Sequence, residues 1–485
     1  MTAAAPPRGW SLHARALIPA FITALILMLL APAAHAQRWV TSWAASAQGP
    51  YPTGNATAQP DLRFALPSPE AGASNQTFRL ILKPELWGSR MRLRFSNAFG
   101  TKPVTFDAVF LGLQSSGATL MPYSNRPVLF GGKKAVTVPP GGQAWSDAVF
   151  LPYAGNPLAP ELTGRKLAAS FHVVGDSGPV TWHAKALQTS YISPPGAGAL
   201  GELEDDSAFP SSTTSWFFLD ALDVQSPAAT LVVCLGDSIT DGTASTLNGD
   251  DRWPDVLARR LRAAGTPMSV VNAGIGGNQV AGPADYSPAH PFPGGPSALS
   301  RLDRDVLGLS GVTHVIWLEG INDLSTNGSA TMEQVRDGLK AGVARIRAKL
   351  PGVRVIGATL TGVAGTTSEA HRPPEVEAKR QALNAFIRNN AGLFDGVVDF
   401  DAATADPATG GLRPEFVPNS TTGGPGDGLH PNRAGYLAMG QAVDLRLLTG
   451  GAGPATAPAT SAPPRPRPRP RPAAPAPDAA GDPPT

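Results

Sequence analysis

The sequence predicts an α/β domain built on a parallel sheet, preceded by an antiparallel β domain. Three observations carry this. From residue 229 onward, short apolar runs alternate with segments whose apolar residues recur at helical spacing. Repeated β-α units of this kind give a parallel sheet covered on both faces, with right-handed crossovers. Over residues 37–226 the apolar residues alternate instead with period two, between turns rich in Gly, Pro, Asn and Ser, which reads as half-buried antiparallel strands. Both ends of the chain depart from globular composition.

The 485 residues, 42% hydrophobic and 16% charged, suffice for two domains of a soluble globular protein. Residues 1–36 hold Arg8 and Arg15, an apolar run over 16–31 and then Ala34-His35-Ala36. A basic start, an apolar run and small residues fit a secretory signal cleaved after Ala36. The run is short for a membrane span and holds Pro19, with Pro32 just after it, which favours cleavage over an uncleaved anchor. No cysteine borders it, so a lipoprotein anchor is excluded. The mature chain is expected to be secreted or periplasmic, with no stable membrane insertion.

Residues 37–226 form the β-rich domain. Met91, Leu93 and Phe95 alternate with Arg92 and Arg94; Val104, Phe106, Ala108 and Phe110 repeat the pattern; Leu167, Ala169, Phe171 and Val173 alternate with Ser170 and His172. Such strands imply a β-sandwich or jelly-roll-like domain. Trp182 and His183 are sugar-stacking candidates, but aromatic residues in a strand are more often core.

Residues 227–449 form the α/β domain. Strands are expected at 231–235, 268–272, 312–318, 353–360 and 397–400. A helix over 253–264 has Trp253, Val256, Leu257 and Leu261 on one face; one over 331–350 has Met332, Val335, Leu339, Val343, Ile346 and Leu350. Segments 375–390 and 432–448 supply two more. Residues 450–485 are rich in Ala and Pro around an Arg-Pro repeat from Arg465 to Pro472, and read as an extended, solvated, polyproline-like tail.

A formal net charge of +2, without a basic stripe interleaved with aromatics, gives no case for nucleic acid. The single cysteine, Cys234, excludes an internal disulfide and reads as a small core residue of a buried strand.

The apolar run over 231–235 leads into Gly236-Asp237-Ser238-Ile239-Thr240. This sets the Ser238 hydroxyl at the carboxyl end of a parallel strand, the edge where open α/β sheets bind ligands. A helix-capping serine in an ordinary turn would read the same in isolation. Three further blocks decide between the two: Asn272-Ala273-Gly274-Ile275-Gly276-Gly277-Asn278, Glu319-Gly320-Ile321-Asn322-Asp323, and Asp427-Gly428-Leu429-His430-Pro431. In this order the four blocks resemble the SGNH (GDSL-type) hydrolases, over about the C-terminal half of the chain. The resemblance implies a flavodoxin-like, three-layer α/β/α domain with a five-stranded parallel sheet. The stretches 38–46, 94–100, 181–183 and 188–191 look like an exported branch of that family, similar to arylesterase/acylhydrolases of rumen xylan-degrading bacteria.

Ester hydrolysis through a serine needs a base for the hydroxyl proton, a group that orients the base, and donors aimed at the developing oxyanion. Ser238 is the nucleophile candidate and His430 the base. Asp427, three residues before His430, is placed to hold the imidazole's far nitrogen. The absence of a Gly-x-Ser-x-Gly elbow around Ser238 counts against the α/β-hydrolase fold. By resemblance, the oxyanion hole comprises the backbone N–H of Ser238, the backbone N–H of Gly277 and the side-chain amide of Asn322. Gly274, Gly276 and Gly277 share one loop, and the family's spacing from Asn272 favours Gly277.

Asp237, Asp241 and Asp323 read as turn carboxylates. His172, His183, His290, His314 and His371 lack metal-ligand spacing. The loop 274–278 lacks the last glycine of a dinucleotide motif, Gln279 standing in its place. No metal and no cofactor are expected. The expected function is an exported serine esterase acting on short acyl esters, with acetyl esters on polysaccharide suggested by family analogy alone. One alternative is a lipase or lysophospholipase for longer acyl chains. Another is a non-catalytic envelope- or polysaccharide-binding protein.

Overall fold

The structure is a computed structural model that describes residues 1–2, 38–226, 229–287 and 289–450. The expected export signal (1–36) and tail (450–485) lie outside the described residues apart from residues 1, 2 and 450. Among the described residues, no helix is long and apolar enough to cross a membrane.

The longer antiparallel strands are β1 (Arg38–Ala44), β2 (Ser74–Leu82), β3 (Arg90–Ser96), β4 (Val104–Ser116), β5 (Leu167–Asp176) and β6 (Leu219–Ser226). One sheet runs β1-β6-β3 and is extended by Val149–Phe150; a larger one places β2, β5 and β4 side by side. The two meet through aromatic rings. Phe95 of β3 lies 4.8 Å from Phe106 of β4 and 5.2 Å from Phe171 of β5, centroid to centroid, and Phe171 stacks on Phe78 of β2 at 5.5 Å.

The alternation expected along β4 breaks at Ala108. Its φ of 42° marks a bulge, and the register with β5 slips between Ser170 and His172. Beyond the bulge Val109 and Leu111 are buried, whereas Ala108 and Phe110 are only partly so. One extra residue swaps the two faces of a strand, so the inward set is Val104, Phe106, Val109 and Leu111.

The second half is the parallel sheet. Its strands are β7 (Thr230–Gly236), β8 (Met268–Gly274), β9 (Val312–Leu318), β10 (Arg354–Ala358) and β11 (Gly396–Val398). Their spatial order is β8-β7-β9-β10-β11, one of the two common doubly wound orders, with a switch point beside the first strand. All five are parallel. Cys234 sits in β7 opposite Asn272 and Ile316; it is fully buried, and burial holds its thiol well above its ordinary value.

The helices Trp253–Ala263 and Met332–Lys349 follow the apolar faces read from sequence, and Pro374–Arg388 answers to the helix expected over 375–390. Thr331 caps the second by accepting from Gln334 N–H, in a capping box. Two expected elements are shorter. The strand expected at 397–400 ends at Val398, because Asp399 caps a helix that begins at Phe400. The helix expected over 432–448 divides into Arg433–Ala442 and Arg446–Thr449 around an extended Val443. There the Arg260 guanidinium donates to the Gly440 and Val443 carbonyls at 2.6 Å each, supplying donors that a continued helix would have supplied.

A single hydrophobic cluster runs from Val40 through Phe171 and Val233 to Leu448. The contact between the halves includes β1 against β8, and buried Arg94 of β3 pairs with Asp220 at 2.6 Å while donating to Gly308 O at 2.9 Å.

Candidate active site

Strand β7 delivers Ser238. Gly236 ends the strand, and Asp237 caps the short helix Ser238–Asp241 by accepting from Ile239 N–H at 2.9 Å. Ser238 Oγ lies 2.8 Å from His430 Nε2, and His430 Nδ1 lies 2.6 Å from Asp427 Oδ2. The other oxygen of Asp427 accepts from the backbone N–H groups of Leu429 and His430, both at 2.9 Å. That turn locks carboxylate and imidazole into one rigid unit. Burial raises the Asp427 pKa, but the His430 ring and the two N–H groups outweigh it and hold the carboxyl well below its usual range. Asp427 is therefore ionised at any pH where an imidazole works as a base. The three residues singled out from sequence thus form one hydrogen-bonded chain.

The loop after β8 offers its donors selectively. Gly274 N–H donates to Asn272 Oδ1, Ile275 N–H to Gly236 O, Gly276 N–H to Asp241 Oδ2, and Asn278 N–H to Ile275 O. Among the described residues Gly277 N–H has no acceptor, and neither has Ser238 N–H. Gly277 has φ of 82°, a backbone state that glycine reaches without strain. Asn322 comes to the same loop, its Nδ2 donating to Asn278 O at 2.9 Å and leaving the second amide hydrogen uncommitted.

A buried guanidinium that sequence reasoning missed binds these strand ends together. Arg301, 2% exposed, donates to Gly236 O (2.9 Å), Ala273 O (2.7 Å), Asn278 Oδ1 (2.8 Å) and Asp305 Oδ2 (3.1 Å). Its Nη2 also lies 3.8 Å from Glu319 Oε1. One side chain therefore fixes the end of β7, the end of β8 and the loop bearing Gly277. Nothing local in the stretch around Arg301 signals this, since its acceptors lie on distant strand ends and loops.

The turn carboxylates behave as expected, each accepting backbone N–H groups: Asp237 from Ile239, Asp241 from Gly276, Asp323 from Val280 at 2.9 Å. Burial pushes Asp237 up to about 8 against the Ile239 hydrogen bond, with Glu319 and Asp323 adding to it. Burial likewise pushes Asp323 up to about 7. His371 is driven down to about 4, first by burial and then by its neighbour His430, so it stays neutral beside the base.

The antiparallel half also reaches the site. Buried Lys185 donates to Thr243 Oγ1 at 2.6 Å, and burial lowers its pKa against the pull of Asp241, Asp237 and Asp427. His183 donates Nδ1–H to Ser46 O at 2.7 Å, and its Nε2 lies 3.2 Å from Asp241 Oδ1. Trp182 and His183 are both buried, Trp182 packed on Tyr51 and Phe217, so they act as core rather than as a sugar platform.

Residues 234–438 match the model of the GDSL-like Lipase/Acylhydrolase family. No curated protein matches the chain. Similar solved structures include a carbohydrate acetylesterase from Sinorhizobium meliloti, at 15% identity over 44% of this chain and 95% of that one, with a TM-score of 0.33. An aryl esterase from M. smegmatis is 19% identical over 44% of this chain and 95% of its own, TM-score 0.33. A GDSL-like lipase from Bacteroides thetaiotaomicron is 18% identical over 46% and 89%, TM-score 0.33. At these TM-scores the structural likenesses carry no weight for function.

Proposed function

We propose, from the premise that this chain is a carboxylic ester hydrolase with a GDSL-like lipase/acylhydrolase match over residues 234–438, that it is an exported serine esterase of short acyl esters. The observation that carries the reading is the Ser238–His430–Asp427 chain, with its links of 2.8 and 2.6 Å. Ser238 Oγ attacks the ester carbonyl as His430 Nε2 takes its proton. Asp427 keeps the proton on Nδ1 and stabilises the imidazolium. The tetrahedral oxyanion is met by Ser238 N–H, Gly277 N–H and the Asn322 amide, donors of the kind that stabilise charge as it develops. Collapse passes the proton from His430 to the leaving alcohol and leaves an acyl group on Ser238. Water, activated by the same histidine, then releases the acid.

Acetyl esters on polysaccharide are the substrate class we favour, with the resemblance to exported xylan-associated enzymes as support. The same reading takes residues 1–36 as the export signal, 37–226 and 227–449 as two domains, the latter a three-layer α/β/α unit, and 450–485 as a spacer outside them. The longer-chain alternative has one observation on its side: an open hollow beside Asp427 lined by Leu412, Pro414, Val417, Pro418 and Pro425.

Hydrolysis of p-nitrophenyl acetate and p-nitrophenyl octanoate, with Ser238→Ala as control, tests these readings. Acetate preference abolished in the variant supports the short-chain esterase. Octanoate preference transfers the proposal to the longer-chain enzyme. Turnover of neither ester above the variant's rate sinks the catalytic reading in favour of a binding protein.

A further inference from the structure

The carbonyl of Gly276 and the N–H of Gly277 belong to one amide. Its N–H end is the donor left without an acceptor in the loop. Its carbonyl end accepts from Asn55 Nδ2 at 2.8 Å, across 221 positions of sequence. We infer that Asn55 is a positioning residue for the oxyanion hole: its carboxamide, delivered by the antiparallel half, holds and polarises the Gly276–Gly277 peptide so that the Gly277 N–H faces the reacting centre. This rests on Gly277 being an oxyanion donor, as proposed above.

Two physical arguments support it. An amide whose oxygen accepts a hydrogen bond carries a more positive N–H, because hydrogen bonds in series polarise one another. The peptide also needs holding. It lies between two glycines, so side-chain sterics do little to stop it turning over, and a turned peptide would aim its carbonyl where the donor belongs. Asn55 opposes that turn with a donor that only the observed orientation satisfies.

The packing agrees. A Cβ built on Gly277 would lie 2.7 Å from Asn55 Nδ2, and one built on Gly276 would lie 3.3 Å from Asn55 Cβ and 2.7 Å from Lys185 Nζ. Two side chains from the antiparallel half thus cover this peptide. From the other direction Gly294 abuts the next carbonyl, its built Cβ falling 2.3 Å from Gly277 O. The Gly294 segment is itself held, since Asn278 Nδ2 donates to Gly294 O at 2.6 Å and Gln48 Nε2 to Pro293 O at 2.8 Å. Asn55 is exposed, so its hydrogen bond adds little to folding, and stability and catalysis can be read apart.

The test uses the full chain. Asn55→Ala is expected to lower kcat on p-nitrophenyl acetate about tenfold, with KM changed less than about twofold and the thermal midpoint kept. Asn55→Asp, which turns a carboxylate toward Gly276 O and has no N–H to donate, is expected to lose more. Phenylboronic acid, whose tetrahedral adduct on Ser238 mimics the oxyanion, should bind more weakly to Asn55→Ala by the factor lost in kcat. Unchanged kcat, a rise confined to KM, or a kcat loss without weaker boronate binding each overturns the inference. Ser238→Ala, assayed alongside, separates the levels: if it is inactive while Asn55→Ala is unaffected, only the role of Asn55 falls, and if it stays active both readings fall.

Discussion

The two halves of the molecule divide a single task differently. In the parallel half, β7 is a run of apolar residues buried on both faces, and the candidate nucleophile Ser238 stands where the run stops. In the antiparallel half the strands alternate apolar with polar residues, and much of the polar set, Arg79, Arg94, Ser170 and His172 among it, is buried too; the contribution to the site comes from loops and strand ends: Asn55, His183 and Lys185. The difference teaches that a sheet can serve a site in two ways. A parallel sheet aims several strand ends at one edge, while an antiparallel one presents a wall whose projections reach across to it.

The sharpest way to break this comparison is Ser238→Ala. Turnover should fall by about 10⁴-fold or more with the thermal midpoint unchanged, and residual activity near the parent's would remove the parallel half from its chemical role. Next in size is Phe171→Ala in the antiparallel core, where the ring packs on Phe78, Phe95 and Phe106. It should cost about 3–5 kcal/mol in urea unfolding. Because one hydrophobic cluster runs through both halves, activity and β-sheet signal should be lost at the same urea concentration; two separate transitions would make the halves independent. Asn322→Ala should lower kcat by about 100- to 1,000-fold, near 2.7–4 kcal/mol, while leaving KM close to the parent's, which steady-state kinetics will read.

The last effect, small for each single pH unit, concerns ionisation. Burial raises Asp237 to about 8 and Asp323 to about 7 in the folded protein, well above the ordinary range of a carboxyl. The folded state therefore binds more protons than the unfolded one between that range and the raised values. The stability they contribute is complete below the unfolded value and is lost as pH rises through the folded one. Each group contributes at most about 1.4 kcal/mol per pH unit. Asp237→Asn should flatten the fall in stability between about pH 4 and pH 8, as measured by urea unfolding across that range; an unchanged slope would show that Asp237 is ionised throughout.

What was legible in the sequence was what is local. Ser238 follows its strand directly, and Asp427 reaches His430 within a single turn. The loop 272–278 is contiguous too, although the selection of Gly277 there needed the resemblance; in the structure the N–H groups of Gly274 and Gly276 are already bound. The parallel strands were equally plain, since burial on both faces leaves an unbroken apolar run. What escaped depends on distant partners. Arg301 joins the ends of two strands that precede it by 28 and 65 positions, and the break at Val443 depends on Arg260, 183 positions away. The bulge at Ala108 left the apolar pattern looking intact while exchanging its faces.

Cys234 gives the strand beneath Ser238 a clock. As the chain's one thiol, fully buried and hydrogen-bonded on both sides through its strand, it meets a thiol reagent only when β7 opens. At a fixed excess of reagent the labelling rate then follows how often the centre of the parallel sheet comes apart. Any substitution elsewhere in the chain that loosens that centre would be timed by the same sulfur, without an added probe.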